Sequence, residues 1–206
     1  MRDTEGMSFS STLKWVAPLV SLLALPSVAL ADDTIKHPGD HPHYSVEVEP
    51  HLLLGWGSAY GTTGIGIGGR VSIPIVQDGF VKTINNSVAV GFGLDFIHYS
   101  GCYDYGFAVN NGSCGANYIF IPAVMQWNFF VAEHWSVFGE PGLYIYHGFF
   151  DNNFCNQFGN GRFCSEPTTT GLGPAFYLGG RYHFSEHVAL TMRIGYPSLS
   201  VGVSFM

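Results

Sequence analysis

Apolar and polar residues alternate along most of the chain after residue 44, with a large apolar side chain at every second position. The clearest run is Val188, Leu190, Met192, Ile194 and Tyr196, which alternates with small or polar residues. A period of two residues is typical of a β-strand, because successive side chains point to opposite faces of a sheet. Comparable runs begin near residues 46, 65, 88, 119, 137, 172 and 199, so the pattern predicts about eight strands.

The second face of these strands is mostly Gly, Ala, Ser and Thr, with few charges. A soluble β-sandwich would turn a charge-rich face to water, whereas a transmembrane barrel turns large apolar residues to lipid and small or polar ones inward. Closure also removes strand edges that hydrocarbon could not satisfy. We therefore predict an all-β fold, an eight-stranded antiparallel up-and-down transmembrane β-barrel. A periplasmic sandwich or lipocalin-like barrel is the alternative.

The connections between predicted strands fall into two groups. Residues 78–87, 132–134 and 185–187 lie on one side, and residues 57–60, 101–115, 150–168 and 197–198 lie on the other. Bacterial barrels keep their longer loops outside the cell, so the second group is predicted to be extracellular. Aromatic residues near the strand ends predict girdles at both membrane boundaries, with Tyr44, Trp135, Phe184 and Phe205 at one and Trp56, Tyr99 and Tyr118 at the other.

Composition agrees with a lipid-facing chain. Only 11% of the 206 residues are charged and 47% are hydrophobic, whereas soluble domains carry about 25% charged residues. Disorder would need low hydrophobicity and high charge, so it is excluded. The net charge of −7 disfavours a nucleic-acid partner.

The N-terminal residues predict export. An apolar stretch of 11 residues, 15–25, follows Lys14 and precedes the small-x-small site Ala29-Leu30-Ala31. This stretch is shorter than the ~20 residues that a membrane-spanning helix needs, and it suits a signal peptide. We predict a signal peptide at residues 1–31 with Met7 as an alternative start, a periplasmic segment at 32–43, and a barrel at 44–206 in the bacterial outer membrane.

The last strand carries the most specific pattern, an alternation of Leu199, Val201, Val203 and Phe205 that ends at Met206. Over residues 44–206 the chain resembles the small outer-membrane β-barrel superfamily of the OmpX and OmpA transmembrane-domain type, whose members usually end on an aromatic residue. The resemblance implies that these four residues are the terminal signal for the barrel-assembly machinery. It also implies periplasmic chaperones, outer-membrane lipid and lipopolysaccharide as partners, while no extracellular partner is identified.

Four cysteines, Cys102, Cys114, Cys155 and Cys164, fall in the two long connections on the predicted extracellular side. An oxidising compartment makes disulfides the expected state. Four cysteines allow three connectivities, and the simplest joins Cys102 to Cys114 and Cys155 to Cys164. Loops pinned in this way predict a structural or surface-interaction role rather than catalysis.

Charged residues on the inward face predict an ion-pair network in the lumen. The interior of an eight-stranded barrel is only just filled by side chains, so we predict a plugged lumen. A narrow channel for small solutes is the alternative. The predicted members of the network are Glu47, Glu49, Arg70, Asp95, Glu140, Arg181 and Arg193.

Two residues offer an enzymatic alternative. His98 and Ser100 share one face of a strand, which alternation predicts to be lipid-facing. They resemble a fragment of the outer-membrane lipid A 3-O-deacylases, whose serine and histidine act together on lipid. Here Gly101 and Cys102 follow, where that family has Asn-Ala. A base and a hydroxyl two residues apart form a nucleophilic pair only when an acid orients the imidazole.

A histidine-rich tract precedes the first strand and includes His37, His41 and His43. Such tracts bind Zn or Cu loosely, so a weak metal site is one hypothesis. The Pro and Gly residues among them equally suit a solvated tether. No cofactor is predicted.

Overall fold

The computed structural model of the chain describes residues 34–56, 63–100, 102–104, 107–109, 115–150 and 168–206, so the predicted signal peptide lies outside it. Within these ranges, no helix is long and apolar enough to span a membrane. The strands are β1 (Glu47–Gly55), β2 (Gly64–Val76), β3 (Asn86–Ser100), β4 (Cys102–Asp104), β5 (Phe107–Val109), β6 (Gly115–Ala132), β7 (Trp135–Phe150), β8 (Thr168–His183), β9 (Val188–Tyr196) and β10 (Ser198–Phe205).

Eight of these strands form one closed antiparallel barrel in the order β1-β10-β9-β8-β7-β6-β3-β2. The first and last strands close it, with Leu54 opposite Leu199 and Val48 opposite Phe205. Closure pairs every strand of the barrel on both sides and leaves no edge exposed. The predicted eight-stranded antiparallel barrel is confirmed. A separate two-stranded sheet, β4 with β5, lies in the connection between β3 and β6 and was not predicted.

The two ends of the barrel differ in their connections. At the near end, where β1 begins and β10 ends, residues 77–85, 133–134 and 184–187 connect strands. At the far end, residues 56–63, 101–114 and 151–167 connect strands, and Pro197 alone joins β9 to β10. The longer connections are therefore collected at the far end, as the sequence predicts.

The outer wall of the barrel is apolar and exposed. Leu52 and Ile65 are each 67% exposed and Ile67 is 63% exposed. Along β1, buried and exposed residues alternate at every position. The large apolar side chains at the exposed positions point outward, and the residues at the buried positions point into the lumen. Soluble monomers rarely expose continuous apolar surface larger than a few hundred Å². This wall is therefore a surface that lipid covers.

Close approach of neighbouring strands requires glycine at two inward positions. A Cβ atom on Gly66 would lie 2.0 Å from the carbonyl oxygen of Phe96, and one on Gly195 would lie 2.0 Å from that of Phe176. A backbone oxygen cannot move aside as a flexible side chain can. These strands therefore reach their observed spacing only because both residues lack a side chain.

The predicted girdle at the far end is wrong, because its members face the lumen. Tyr99 is buried and meets the ring of Tyr118 edge to face at 5.7 Å. Trp56 lines the same interior cavity. Alternation explains the outcome, since His98 points outward and its neighbour Tyr99 must therefore point inward. At the near end, Trp135, Phe184 and Phe205 are exposed, but the prediction is wrong for Tyr44, whose hydroxyl donates to the buried Glu47 at 3.3 Å.

Val88 also departs from expectation. The alternation of β3 places it on the outward face, yet it is fully buried. It pairs with Trp127 on β6 and with Val76 on β2, beside a register shift between Pro74 and Val76. The ring of Phe80 lies edge-on to that of Trp127 at 6.2 Å. The connection of residues 77–85 thus packs against the near end of the outer wall.

Candidate functional site

The middle of the lumen contains buried charged side chains from six strands, which we call the charged layer. Strict alternation points each of them inward, and each is at most 3% exposed. The structure therefore brings together all seven residues that the sequence places on the inward face. They are Glu47 and Glu49 of β1, Arg70 of β2, Asp95 of β3, Glu140 of β7, Arg181 of β8 and Arg193 of β9.

Glu140 is the centre of one half of the charged layer. Its carboxylate accepts hydrogen bonds from Arg70 Nη1 at 2.5 Å, from Arg193 Nε at 3.0 Å and from Gln126 Nε2 at 2.9 Å. Arg70 Nη2 also lies 4.0 Å from the carboxylate of Asp95. Buried ions are tolerated only when their remaining lone pairs and protons find partners, and Gln126 supplies one here.

The other half of the charged layer is built around the first strand. Arg181 Nη2 lies 2.7 Å from Glu47 Oε1, and Arg193 forms an ion pair with Glu49. The hydroxyl of Ser204 donates to Glu47 at 2.7 Å and lies 3.2 Å from Glu49. Because Arg193 also contacts Glu140, it joins the two halves into one network.

His51 also belongs to the charged layer, although the sequence analysis left it out. Its Nε2 lies 2.9 Å from Asp95 and its Nδ1 lies 3.4 Å from Glu49. The seven predicted members comprise four carboxylates and three guanidinium groups, so His51 is the side chain placed to balance the fourth carboxylate. Alternation was the signal that could have found it, because it lies two residues after Glu49 on the same face.

Towards the far end the lumen is filled by rings, which we call the aromatic layer. Its members are Tyr99, Tyr118, Phe120, Tyr144 and Tyr146. Phe120 meets Tyr144 edge to face at 5.4 Å, a favourable geometry for aromatic pairs. The rings border a cavity of about 400 Å³ that Trp56 also lines. The guanidinium of Arg70 lies 5.2 Å from the ring centre of Tyr177, and this contact joins the two layers.

His98 and Ser100 lie exposed on the outer wall, near the far end. The hydrogen-bond partner of His98 is Asn117, its cross-strand neighbour on β6, with Nδ1 2.8 Å from Oδ1. His147 repeats this arrangement, with Nδ1 2.5 Å from Thr170 Oγ1 on β8. Each imidazole is thus oriented by a side chain of the adjacent strand. The pairing depends on strand register, which the sequence pattern alone does not supply.

The cysteines fall at the margin of the described structure. Cys102 begins β4, for which the backbone course alone is described, and Cys114, Cys155 and Cys164 lie outside the described residues. The pairing of Cys102 with Cys114 and of Cys155 with Cys164 therefore stays a prediction.

The histidine tract lies against the near end of the barrel. His41 Nδ1 lies 2.6 Å from Asn85 Oδ1, and its ring stacks on that of Phe130 at 4.4 Å and on that of His43 at 4.9 Å. Burial lowers the pKa of His41 below its ordinary value. Among the residues that the structure describes, no three His, Cys, Asp or Glu side chains are grouped to hold a metal ion. The weak metal hypothesis for His37, His41 and His43 stays a prediction.

The last strand closes the barrel. Leu199, Val201, Val203 and Phe205 form the outward face of β10, and the residues between them are buried. Their role as an assembly signal also stays a prediction.

These features define the class of protein. A closed antiparallel barrel with an apolar outer wall, a polar lumen and its longer connections at one end is the architecture of bacterial outer-membrane proteins. The chain is a small eight-stranded outer-membrane β-barrel.

Solved structures include barrels of similar fold. Ail, the attachment invasion locus protein of Yersinia pestis, determined in complex with the heparin analogue sucrose octasulfate, is 12% identical with a TM-score of 0.45, and the match covers 78% of this chain and 96% of Ail. Neisserial surface protein A is 17% identical with a TM-score of 0.49, covering 79% of this chain and 97% of that protein. No family model and no curated protein sequence matches the chain. At such low identities these likenesses concern the fold, and no function follows from them.

Proposed function

We propose that the protein acts at the cell surface, as a structural or recognition element, through the connections at the far end of its barrel. The observation that carries this proposal is the filled lumen. Buried ion pairs around Glu140 and the rings around Phe120 occupy successive layers of the interior. The outer wall is covered by lipid, so the two ends are the surfaces left for recognition.

The orientation of the barrel supports the far end as the recognition surface. Both the entry into β1 and the exit from β10 lie at the near end, with short connections, and in bacterial barrels that end is periplasmic. The long connections, residues 101–115 and 150–168, then face the medium. Disulfides between Cys102 and Cys114 and between Cys155 and Cys164 would hold them in a fixed shape.

Membrane fractionation combined with heat-modifiability on gels tests the basis of this proposal. We expect an outer-membrane band whose mobility shifts on heating, and a soluble periplasmic band would contradict the whole assignment. The recognition role is tested by replacing residues 150–168 with a Gly-Ser linker of equal length. Attachment of cells to a surface should fall while the heat-shifted band remains. Unchanged attachment after replacement of both long connections would exclude recognition by these loops.

Assembly into the membrane is proposed to depend on the last strand. The outward face of β10 ends at Phe205, which is exposed beside the closing contact with Val48. The variant Phe205→Ala should accumulate in complex with periplasmic chaperones, and the matched variant Ser200→Ala, at an inward residue of the same strand, should not. Equal accumulation of both variants would point to a folding defect instead of a lost signal.

A second candidate function is a lipid A-modifying hydrolase that uses His98 and Ser100. The observation that favours it is the hydrogen bond to Asn117, which orients the imidazole of His98, although a neutral amide stands where an acid is expected. Mass spectrometry of lipid A from cells with and without the protein tests this candidate. Loss of an acyl chain that the variant Ser100→Ala abolishes would support it, and unchanged acylation would exclude it.

A narrow channel is the third candidate, and the filled lumen weighs against it. Reconstitution in a planar bilayer would decide between channel and plug. Conductance steps that the variant Phe120→Ala enlarges would support a channel through the aromatic layer. A silent bilayer, with insertion verified by heat-modifiability, would exclude it.

A further inference from the structure

Residues 34–43, which we call the strap, lie across the near end of the barrel and are held there through Asn85. The backbone N–H of Asn85 donates to the carbonyl of Ile35 at 2.7 Å, and its side-chain amide donates to the carbonyl of Asp40 at 2.6 Å. Asn85 is fully buried, and its own carbonyl accepts from the backbone N–H of Phe130 at 3.1 Å. One asparagine thus connects the strap to β6.

The same asparagine fixes the tautomer of neutral His41. Because the side-chain nitrogen of Asn85 donates to Asp40, its oxygen must be the acceptor towards His41 Nδ1. His41 therefore carries a proton on Nδ1, and in the neutral ring its Nε2 is a bare lone pair. Among the described residues this Nε2 is buried without a hydrogen-bond partner. A second proton would place a charged donor where the strap offers no acceptor.

The ring of His41 is half-buried, which limits the water that could stabilise a charge on it. It is stacked between Phe130 and His43, and burial is the largest influence that lowers its pKa. The attraction of the Phe130 face for a cation offsets only part of that loss of solvation. His43 also opposes protonation, whereas the hydrogen bond to Asn85, the charge of Asp78 and a hydrogen bond to the backbone of Gln77 favour it without outweighing burial.

The other groups around the strap line a cavity of about 540 Å³ at the near end. Asp40 of the strap, Glu133 of the β6–β7 turn and Glu186 of the β8–β9 turn are acidic and would favour a cation. His134 and His183 would oppose one once they are protonated themselves. His183 is 5% exposed, with Nε2 3.0 Å from Ser136 Oγ and Nδ1 buried without a partner among the described residues. The groups that face His41 across this space therefore act in opposite directions on a cation.

We propose that the strap is a pH-sensitive cover, which closes the near mouth of the barrel while His41 is neutral and leaves it when His41 is protonated. The docked strap has the lower pKa and the released strap the ordinary value of 6.5. Docking is therefore fully stable above that pH and weakens as the pH falls below it. The histidine tract, which the proposed surface function does not use, acquires a role in the periplasm.

Hydrogen exchange of the full chain in phospholipid nanodiscs tests this proposal. The readout is the protection of the Asn85 backbone amide, whose N–H donates a hydrogen bond to the carbonyl of Ile35 in the strap. The measured exchange rates are corrected for the intrinsic effect of pH on amide exchange. Protection should fall with pH below 6.5, by at most about tenfold per pH unit for one linked proton, until the pKa of the docked His41 is reached. The variant His41→Phe keeps a stacking ring without a titrating group, so its protection should not change with pH. The exposed His187→Gln, which does not line this cavity, is the matched control and should respond as the unaltered protein does.

Three results would overturn the proposal. The first is protection in the unaltered protein that does not change between pH 7.5 and pH 5. The second is a pH response that survives in His41→Phe, or one that His183→Gln abolishes while His41→Phe does not. If His41→Phe leaves the strap unprotected at every pH, NMR titration of the His41 ring in the unaltered protein decides. A midpoint below 6.5 supports the cover, and a midpoint at or above 6.5 rejects it.

Discussion

The charged layer and the outer wall are built by the same alternation on the same strands, yet they place opposite chemistry in opposite surroundings. Glu140 and Arg193 are buried and paired, whereas Leu52 and Ile67 are mostly exposed. In a water-soluble barrel the apolar side chains would be buried and the charged side chains would be exposed. The comparison shows that lipid is the solvent of the wall, and that the lumen must satisfy its polar groups from within the chain.

The two regions also differ in what they demand of each side chain. On the outer wall any large apolar residue meets lipid equally well, so single positions carry little specificity. In the charged layer each ion has named partners, and Arg193 contacts both Glu49 and Glu140. We therefore expect conservative changes to be tolerated on the wall and to be costly in the lumen.

The largest effect is expected from breaking the charged layer at its centre. The variant Glu140→Gln keeps the shape of the side chain but leaves Arg70 and Arg193 without their shared carboxylate. Removing one partner of a buried ion pair costs about 3–5 kcal/mol, because the remaining charge is uncompensated. Urea unfolding from lipid vesicles measures the change in the free energy of unfolding.

The control for that prediction is Glu133→Gln, at an exposed carboxylate in the near-end turn. It should change stability by no more than about 0.5 kcal/mol, as surface substitutions do. A similar effect of both variants would mean that the charged layer is not a specific network, and the comparison with the wall would fail.

A smaller effect is expected when a charge is placed on the wall. Val71 points outward at the middle of β2, and Phe184 is exposed at the near end. An arginine at the midplane of the membrane costs about 2–4 kcal/mol and one near the interface costs about 0–1 kcal/mol. Val71→Arg should therefore destabilise the barrel in lipid vesicles far more than Phe184→Arg. Equal costs would indicate that the wall does not cross the bilayer as oriented here.

The same alternation explains how far the sequence could predict this molecule. Parity along a strand decides which side chains point inward, and it placed Glu140 and Arg193 in the lumen without any structure. The same rule places His51 on the inward face with Glu49, and Tyr99 on the inward face with Ile97. The expectation of an aromatic girdle at the membrane boundary conflicts with this rule for Tyr99. For both residues, the position along the strand predicts the direction of the side chain better than the residue type does.

Other features carry no periodic signal. The contact of His98 with Asn117 depends on the register between β3 and β6. That register is fixed across a connection of 14 residues, 101–114, which alternation does not describe. The docking of His41 on Asn85 joins residues 44 positions apart and lies outside any strand on the His41 side. Such contacts follow from tertiary packing and could not be predicted from local pattern.

The smallest effect compares one substitution in two layers of the lumen. Phe138 lies in the charged layer, with the guanidinium groups of Arg181 and Arg193 4.8 Å and 5.1 Å from its ring centre. Phe120 lies in the aromatic layer and borders a cavity of about 400 Å³, so its neighbours have room to adjust. Phe138→Leu should cost about 2 kcal/mol, since it loses packing and two cation–π contacts. Phe120→Leu should cost about 1 kcal/mol, because much of its packing can be recovered by the rings around it.

Unfolding of both variants in the same vesicles gives the difference between their free energies of unfolding directly. A cost for Phe120→Leu equal to or above that for Phe138→Leu would place the specificity of the lumen in its rings instead of its charges.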